Sequence, residues 1–196
     1  MAKNLTRDLK SGTYTRGGER LAGWSYYDTL LMSNTVPTHR LFTVPQSAAK
    51  PKDLTNMSLG GQIPNGQKLT IFNVKLFLAI PAAIDETVLV HLIDTISRTT
   101  LDFVIENKAP MLTLTLQEVL GAATLYELTP SVAGDNIGGA ILPRYHGIYP
   151  LNIPIVLQEL TPFEVVITHQ NAVANDESLN DTRIKVSLNG ELVRRT

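Results

Sequence analysis

The residue types that most often carry out chemistry in proteins are scattered along this chain and form no recognisable motif. None of the four histidines, His39, His91, His146 and His169, has the spacing of a local metal-binding pair. The chain has no cysteine, which excludes disulfides, thiol catalysis and cysteine-ligated metals. It also lacks a nucleophile elbow, a phosphate-binding loop and a dinucleotide-binding glycine motif. The sequence therefore predicts a binding or assembly protein that is not an enzyme and has no catalytic residue, metal or cofactor.

Acidic residues leave two further possibilities open. Asp176, Glu177 and Asp181 could offer oxygen ligands to Ca²⁺, although their spacing does not match an EF-hand loop and favours a solvated hairpin tip. Carboxylates between Asp85 and Glu106 could form the acid pair of a glycosidase, but the sequence does not bring them together. A glycosidase-like enzyme is therefore a minor alternative.

The charge content limits the partners of this protein. Charged residues make up 18% of the chain, below the roughly 25% of a typical soluble domain, and the formal net charge is −1. This charge offers no electrostatic case for specific nucleic-acid or membrane binding. No apolar run approaches the ~18 residues of a membrane span, and the start lacks the apolar centre of a signal peptide. Low surface charge fits burial against other protein, or a β-fold that exposes Thr and Asn.

The first 53 residues are predicted to form an extended basic arm followed by an aromatic anchor segment. Residues 1–20 carry five cations against two acidic residues and almost no large apolar side chain. An aromatic cluster follows, and amphipathic aromatics commonly anchor a segment to a partner. The predicted oligomer or partner contacts are Lys3, Arg7, Lys10, Arg16, Arg20, Trp24, Tyr26 and Tyr27.

From Leu54 onward the chain reads as short strands separated by turns. Glycine and proline turns at residues 60–66 precede the longest strand pattern, at 68–79. Further strands are predicted at 99–106, 111–116, 153–158, 163–168 and 183–188, and a short strand is predicted before this domain, at 39–44. Pro154, near the start of the strand at 153–158, predicts an edge strand or a strand entry. Asn189-Gly190 predicts a closing hairpin. Residues 81–98 fit either a helix or a strand, and a short helix is favoured. The pattern predicts an all-β fold, a β-sandwich or barrel, with at most one or two short helices.

Alternation along these strands also predicts the core of the sandwich. The expected core residues are Leu69, Ile71, Phe72, Val74, Leu76, Leu112, Leu114, Ile155, Val165, Ile167, Ile184, Val186 and Leu188.

Several segments together resemble small jelly-roll capsid or cement proteins of bacteriophages. Leu-Thr-Asn-Met at 54–57 leads through a prolyl turn at 61–67 into a long strand; residues 149–167 hold two strands around Thr161-Pro162, and 186–194 end the chain. The resemblance implies a jelly-roll-like β-sandwich over residues 54–196. It also implies a capsid or capsid-decorating virion protein assembled in the host cytoplasm. It implies copies of itself, as a homotrimer, and other capsid proteins as partners. It does not distinguish a shell protein from a decoration protein.

A carbohydrate-binding or adhesive β-sandwich, such as a tail-fibre or lectin-like module, is the alternative interpretation. Its sugar platform would use exposed aromatic rings, and the chain has a single Trp and 6% aromatic residues. The platform would lie within residues 23–27 or near Tyr145 and Tyr149. An assembly assay tests the first interpretation, and a glycan array tests the second.

Overall fold

The computed structural model describes residues 5–7, 14–16, 19–32, 36–79, 83–84, 94–120, 137–138, 145–169 and 182–194. Side chains are not described for 5–7, 14–16, 83–84, 137–138 and 145–146. The acidic loop at 175–181 and His91, both considered above, lie outside the described residues.

Strands dominate the described part of the chain. In chain order they are β1 (Leu5–Arg7), β2 (Tyr14–Arg16), β3 (Glu19–Leu31), β4 (Thr38–Leu41), β5 (Gln67–Ala79), β6 (Ala83–Ile84), β7 (Thr99–Ile105), β8 (Leu112–Thr115), β9 (Ile137–Gly138), β10 (Tyr145–Leu157), β11 (Phe163–His169) and β12 (Arg183–Arg194). A short helix, α1 (Leu116–Leu120), follows β8, and residues 94–97 are also helical.

Eight of these strands form two four-stranded antiparallel sheets. The first sheet has the order β10-β5-β12-β3, and the second has the order β4-β11-β7-β8. Taken in chain order, the first of the eight strands pairs with the last (β3 with β12) and the second with the seventh (β4 with β11). The third pairs with the sixth (β5 with β10) and the fourth with the fifth (β7 with β8). This nested pairing over two sheets is the topology of a jelly roll, and it confirms the predicted all-β fold.

Alternation of apolar and polar residues explains why the two sheets face each other. In β11, Phe163, Val165, Ile167 and His169 are buried, and the residues between them are partly exposed. Such a strand covers a core with one face. Most of the predicted core is confirmed as buried: Leu69, Ile71, Val74, Leu76, Leu114, Ile155, Val165, Ile167, Ile184, Val186 and Leu188. Leu112 is partly buried against this core.

Phe72 is the predicted core residue that lies outside, with 44% of its surface exposed. The register between β12 and β5 jumps at this point, from Asn189 opposite Asn73 to Gly190 opposite Ile71, so Phe72 has no partner on β12. A bulge of one residue reverses the face on which the following side chains lie. The prediction that Phe72 lies in the core is therefore wrong.

The predicted hairpin at Asn189-Gly190 is wrong. Both residues lie inside β12, which continues without a turn and pairs with β3 on one side and β5 on the other. A Cβ atom on Gly190 would lie 1.8 Å from the backbone oxygen of Thr70. The glycine is required for close approach of two backbones at a bulge, which is the other common role of glycine in a strand.

The sandwich also begins earlier than the predicted start at Leu54. β3 is the edge strand of the first sheet and pairs with β12 along its whole length, and β4 is the edge strand of the second sheet. Residues 19–31, predicted as part of the arm and anchor segment, therefore belong to the β domain. β4 lies where a short strand was predicted within that segment, at 39–44, and it also belongs to the β domain. β1 and β2 pair with each other, and the other residues before Glu19 lie outside the described part.

The segment 81–98 contains both kinds of structure. Ala83–Ile84 forms β6, which pairs with β9, and residues 94–97 are helical. The residues between them, 85–93, are not described.

Candidate interaction surfaces

The predicted contact residues fall into three groups in the structure. Lys3 and Lys10 lie outside the described residues. Arg7 and Arg16 belong to β1 and β2, where the backbone alone is described. Arg20 and the three aromatic residues lie on β3 with described side chains, and all four contact the rest of their own chain.

Trp24 is held by residues of its own sheet. The guanidinium carbon of Arg194 lies 5.1 Å from the centre of the indole ring, within the range of a cation–π contact. The ring of Tyr26 meets the indole edge-on, at 6.0 Å between centroids. Arg20 is paired nearby with Glu191 of β12, at 2.5 Å. Arg20 and Trp24 of β3 thus contact residues of β12 in the same chain.

Tyr26 belongs to the core of its own subunit. Only 3% of its surface is exposed, and its hydroxyl donates a hydrogen bond to Oε1 of Gln67 at 3.0 Å. Burial raises the pKa of Tyr26, because the charged phenolate loses its hydration, and the positive charge of Arg194 partly offsets this effect. A side chain in this position cannot anchor the protein to a partner.

Tyr27 lies on the other side of β3 and is partly buried. The ammonium of Lys185 lies 3.9 Å from the centre of its ring, and its hydroxyl donates to the backbone oxygen of Lys52. Both contacts are within the same chain. Together with the packing of Trp24, they leave neither ring as the open platform that a stacked sugar requires.

Asn56 protects part of the exposed edge of β3. Its side-chain oxygen accepts a hydrogen bond from the backbone N–H of Tyr27 at 2.8 Å, and its side-chain nitrogen donates to the backbone oxygen of Ser25 at 2.7 Å. The amide therefore satisfies backbone groups that a neighbouring strand would otherwise bind. Covering an edge in this way prevents pairing with another chain.

The opposite edge of the first sheet, at β10, is apolar and exposed. Ile148, Ile153 and Val156 of β10 are 55%, 82% and 43% exposed. Phe72 lies opposite the irregular stretch of β10 between Pro150 and Ile155, and Met111, 61% exposed, immediately precedes β8. We call Phe72, Met111, Ile148, Ile153 and Val156 the β10 surface. A cleft of about 510 Å³ lies here, lined by the uncharged residues 111–112, 149 and 151–156.

Two prolines interrupt the backbone edge of β10. Pro150 and Pro154 carry no N–H group, and both lie in this edge strand. Of the two roles predicted for Pro154, edge strand or strand entry, the structure has the edge strand. Prolines make an edge a poor template for adding a strand, so a partner on β10 would contact side chains and not extend the sheet.

A second group of exposed apolar residues lies at the β3–β4 side. Leu31 ends β3 and is 53% exposed; Val36 and Val44 flank β4 and are 45% and 49% exposed; Leu59 is 38% exposed. The segment after β4 is close to Leu59, since a Cβ on the adjacent Gly60 would lie 2.3 Å from the backbone oxygen of Thr43.

Histidine chemistry is limited to one pair among the described side chains. The rings of His39 and His169 stack with their centres 5.6 Å apart, and Nε2 of His169 lies 2.7 Å from the backbone oxygen of Val36. Across the described residues, no group of three or more His, Asp or Glu side chains could hold a metal ion. In the same part of the chain, no helix is long and apolar enough to cross a membrane.

The β10 surface was missed by sequence reasoning, although its signal was present. Residues 148–156 have apolar side chains at neighbouring positions, so both faces of the strand are apolar. Apolar residues on both faces of an edge strand indicate that the edge is covered in the functional protein.

The strand order and the shared core define the chain as a jelly-roll β-sandwich protein. Comparisons with protein-family models, with curated proteins and with solved structures found no match.

Proposed function

We propose that this chain is a virion structural protein: a bacteriophage capsid or capsid-decorating protein that self-associates and stabilises the shell. It acts as a homotrimer, with other capsid proteins as further partners, in particles assembled in the host cytoplasm. It performs no catalysis and needs no cofactor.

The observation that carries this proposal is the distribution of exposed apolar residues. Among the described side chains, ten large apolar ones are exposed, and five of them belong to the β10 surface. Apolar residues scattered singly over a surface need no explanation, but a cluster at one edge marks a site of contact with other protein. Low overall charge supports the same conclusion, because little charge must be desolvated when such a surface is covered.

The fold is compatible with the proposed function but does not distinguish it from other functions. Jelly rolls occur in capsid proteins, in lectins and in enzymes of the cupin class, so function has to be argued from particular surfaces. The resemblance of the turn and strand segments to phage capsid and cement proteins favours the virion role among these.

The carbohydrate-binding alternative has less support. Its predicted platform at residues 23–27 contains the buried Tyr26 and two rings, Trp24 and Tyr27, that each contact a cation of the same chain. Tyr149 is partly buried beside the β10 cleft.

Sedimentation of the full-length protein tests the proposal. Over concentrations from about 1 µM upward, we expect a defined oligomer of three copies. Electron microscopy of the same preparation, and of particles that contain the protein, should show it in a shell or on one. A protein that stays monomeric over this range and does not bind particles contradicts the proposal.

A further inference from the structure

We infer that a cleft on the outer face of the first sheet binds a phosphate monoester carried on an aromatic or apolar group. The cleft has a volume of about 450 Å³, which is enough for a small organic molecule. The residues that line it and would contact such a molecule are called the β12 cleft: Asp53, Leu54, Phe77, Ala79, Arg183 and Lys185. This binding goes beyond the proposed virion function and does not require self-association.

Pairing of β12 with β5 brings the cations of this cleft together. Arg183 and Lys185 are two residues apart on β12, so both lie on the same face of the sheet, with Cα atoms about 6.7 Å apart. Lys185 lies opposite Phe77 of β5, and the ammonium of Lys75 lies 4.7 Å from the centre of the Phe77 ring. Three positive charges are therefore concentrated here, although the net charge of the whole chain is −1.

Carboxylates of the described part of the chain do not neutralise these cations. Asp53 is the only acidic residue among the described residues that line the cleft, and neither Arg183 nor Lys185 has an ion-pair partner among the described side chains. The exposed Arg98 and Lys108, by contrast, are each paired with a carboxylate. Three positive charges and one negative charge leave an excess of two positive charges at the cleft.

This excess of positive charge favours a phosphate monoester over other anions. A phosphate monoester carries a charge of about −1.5 to −2 at neutral pH, whereas a carboxylate carries a single negative charge. The planar fork of an arginine matches the geometry of phosphate oxygens, and a lysine beside it adds a point charge. Arg183 and Lys185 are therefore suited to hold the phosphate group.

The apolar side of the cleft indicates that the phosphate is attached to an organic group. Leu54, Phe77 and Ala79 line the cleft together with the cations, and none of the three is fully buried. A ring attached to the phosphate would cover these side chains, and burial of apolar surface adds to affinity. A nucleoside monophosphate has both parts. Two sources provide this chemistry: a free nucleotide and the phosphorylated end of a single-stranded nucleic acid.

Calorimetric titration of the full-length protein tests the inference, with adenosine monophosphate, adenosine and inorganic phosphate as probes. We expect adenosine monophosphate to bind with a dissociation constant below about 1 mM. Adenosine and inorganic phosphate should bind about tenfold more weakly or less, because each fills only part of the cleft. A single-stranded oligonucleotide with a terminal phosphate distinguishes the two sources: tighter binding than adenosine monophosphate identifies a nucleic-acid end, and weaker binding identifies a free nucleotide.

Three substitutions locate the binding of adenosine monophosphate. Arg183→Gln should weaken it about tenfold or more, through loss of hydrogen bonds to a charged group. Asp53→Asn removes a negative charge from the cleft and should tighten it about two- to fivefold. Lys68→Met is the matched control, because it removes one positive charge from an exposed position opposite Val193, outside the cleft. Thermal unfolding confirms the fold of each variant.

Four results would overturn the inference. The first is no binding of adenosine monophosphate at about 10 mM. The second is equally tight binding of inorganic phosphate, since the apolar side of the cleft would then contribute nothing. The third is an equal effect of Arg183→Gln and Lys68→Met, since the cleft would then have no special role, and the fourth is weaker binding by Asp53→Asn. Sedimentation tests the proposed virion function separately, so none of these results affects it.

Discussion

The carboxylate of Asp28, fully shielded from solvent, lies 2.6 Å from the ammonium of Lys50. Asp28 belongs to β3 and Lys50 to the segment between β4 and β5, so this ion pair joins two parts of the jelly roll. The other oxygen of Asp28 accepts the backbone N–H of Phe42 at 2.6 Å. Phe42 is fully buried with a left-handed φ of 68°, a conformation that is uncommon for a bulky residue and needs support from its surroundings.

Removing Lys50 should therefore strongly destabilise the fold. Lys50→Met leaves a buried carboxylate without its counter-charge, and breaking such a pair costs about 3–5 kcal/mol. Lys108→Met is the control, because Lys108 pairs with Glu106 where both side chains are largely exposed, and such pairs contribute about 1 kcal/mol or less. Urea unfolding measures both free energies. Equal losses in the two variants would contradict the structural role of the Asp28–Lys50 pair.

The strands of this fold could be predicted because their signal is local. Apolar and polar residues alternate regularly in β7, β8 and β11, and turn residues precede β5. The alternation and the turn residues therefore indicate the same strands. The jelly-roll order needs pairings between distant strands, such as β3 with β12, and these came only through the family resemblance.

The errors arose where one local pattern serves two structures. Asn-Gly occurs in tight hairpin turns, but glycine also occurs at bulges, and the neighbouring strands β3 and β5 decide which structure Gly190 adopts. Phe72 continues an alternating run, and the bulge that exposes it depends on pairing with β12.

The candidate site was harder to predict than the fold for a related reason. Aromatic residues preceded by cations are equally suited to a partner surface and to an edge strand that packs on its own sheet. Trp24 and Tyr26 were predicted to contact a partner, and in the structure they contact Arg194 and Gln67 of the same chain. Pro154 indicated an edge strand, but the exposure of Ile153 and Val156 also depends on which other parts of the chain lie beside that edge, and local sequence does not specify them.

Two glycine substitutions should separate the loss of unfolding free energy caused by a steric clash from the loss caused by an unfavourable φ angle. Gly190→Ala places a Cβ atom 1.8 Å from the backbone oxygen of Thr70, so the sheet must shift, at a cost of about 3 kcal/mol. Gly23→Ala meets no atom within 4 Å, but its φ of 74° is unfavourable for alanine by about 1–2 kcal/mol. Urea unfolding of both variants gives the comparison. A Gly23→Ala loss larger than that of Gly190→Ala would refute the close approach at the bulge.

Truncation should show that β3 belongs to the β domain. A chain lacking residues 1–18 keeps all of β3 and should retain a cooperative thermal transition. A chain lacking residues 1–27 loses the part of β3 that contains Trp24 and Tyr26, which pair with Gly190 and Leu188 of β12, and it should not fold cooperatively. Circular dichroism against temperature measures both. If the shorter chain unfolds at the temperature of the full-length protein, residues 19–27 act as a detachable anchor after all.

Alkaline pH should expose the energetic effect of burying Tyr26. Its pKa in the folded protein is raised by desolvation, so the unfolded chain, with a tyrosine pKa of about 10, ionises first as the pH rises. This contribution to stability is complete below about pH 10 and is lost as the pH rises through the folded pKa. Tyr26→Phe should cost about 1 kcal/mol at neutral pH, through loss of the bond to Gln67, and should lack this alkaline loss.

The gap in unfolding free energy between the unmodified chain and Tyr26→Phe should therefore narrow as the pH is raised from 9 to about 11. Urea unfolding at several pH values measures this gap directly. Tyr27→Phe is the control, because it also removes one phenol from β3 but leaves the buried hydroxyl of Tyr26 in place. A gap for Tyr26→Phe that widens with pH would mean that the folded state favours the phenolate. The buried position beside Gln67 would then not disfavour charge, and Arg194 would be the dominant influence on this residue.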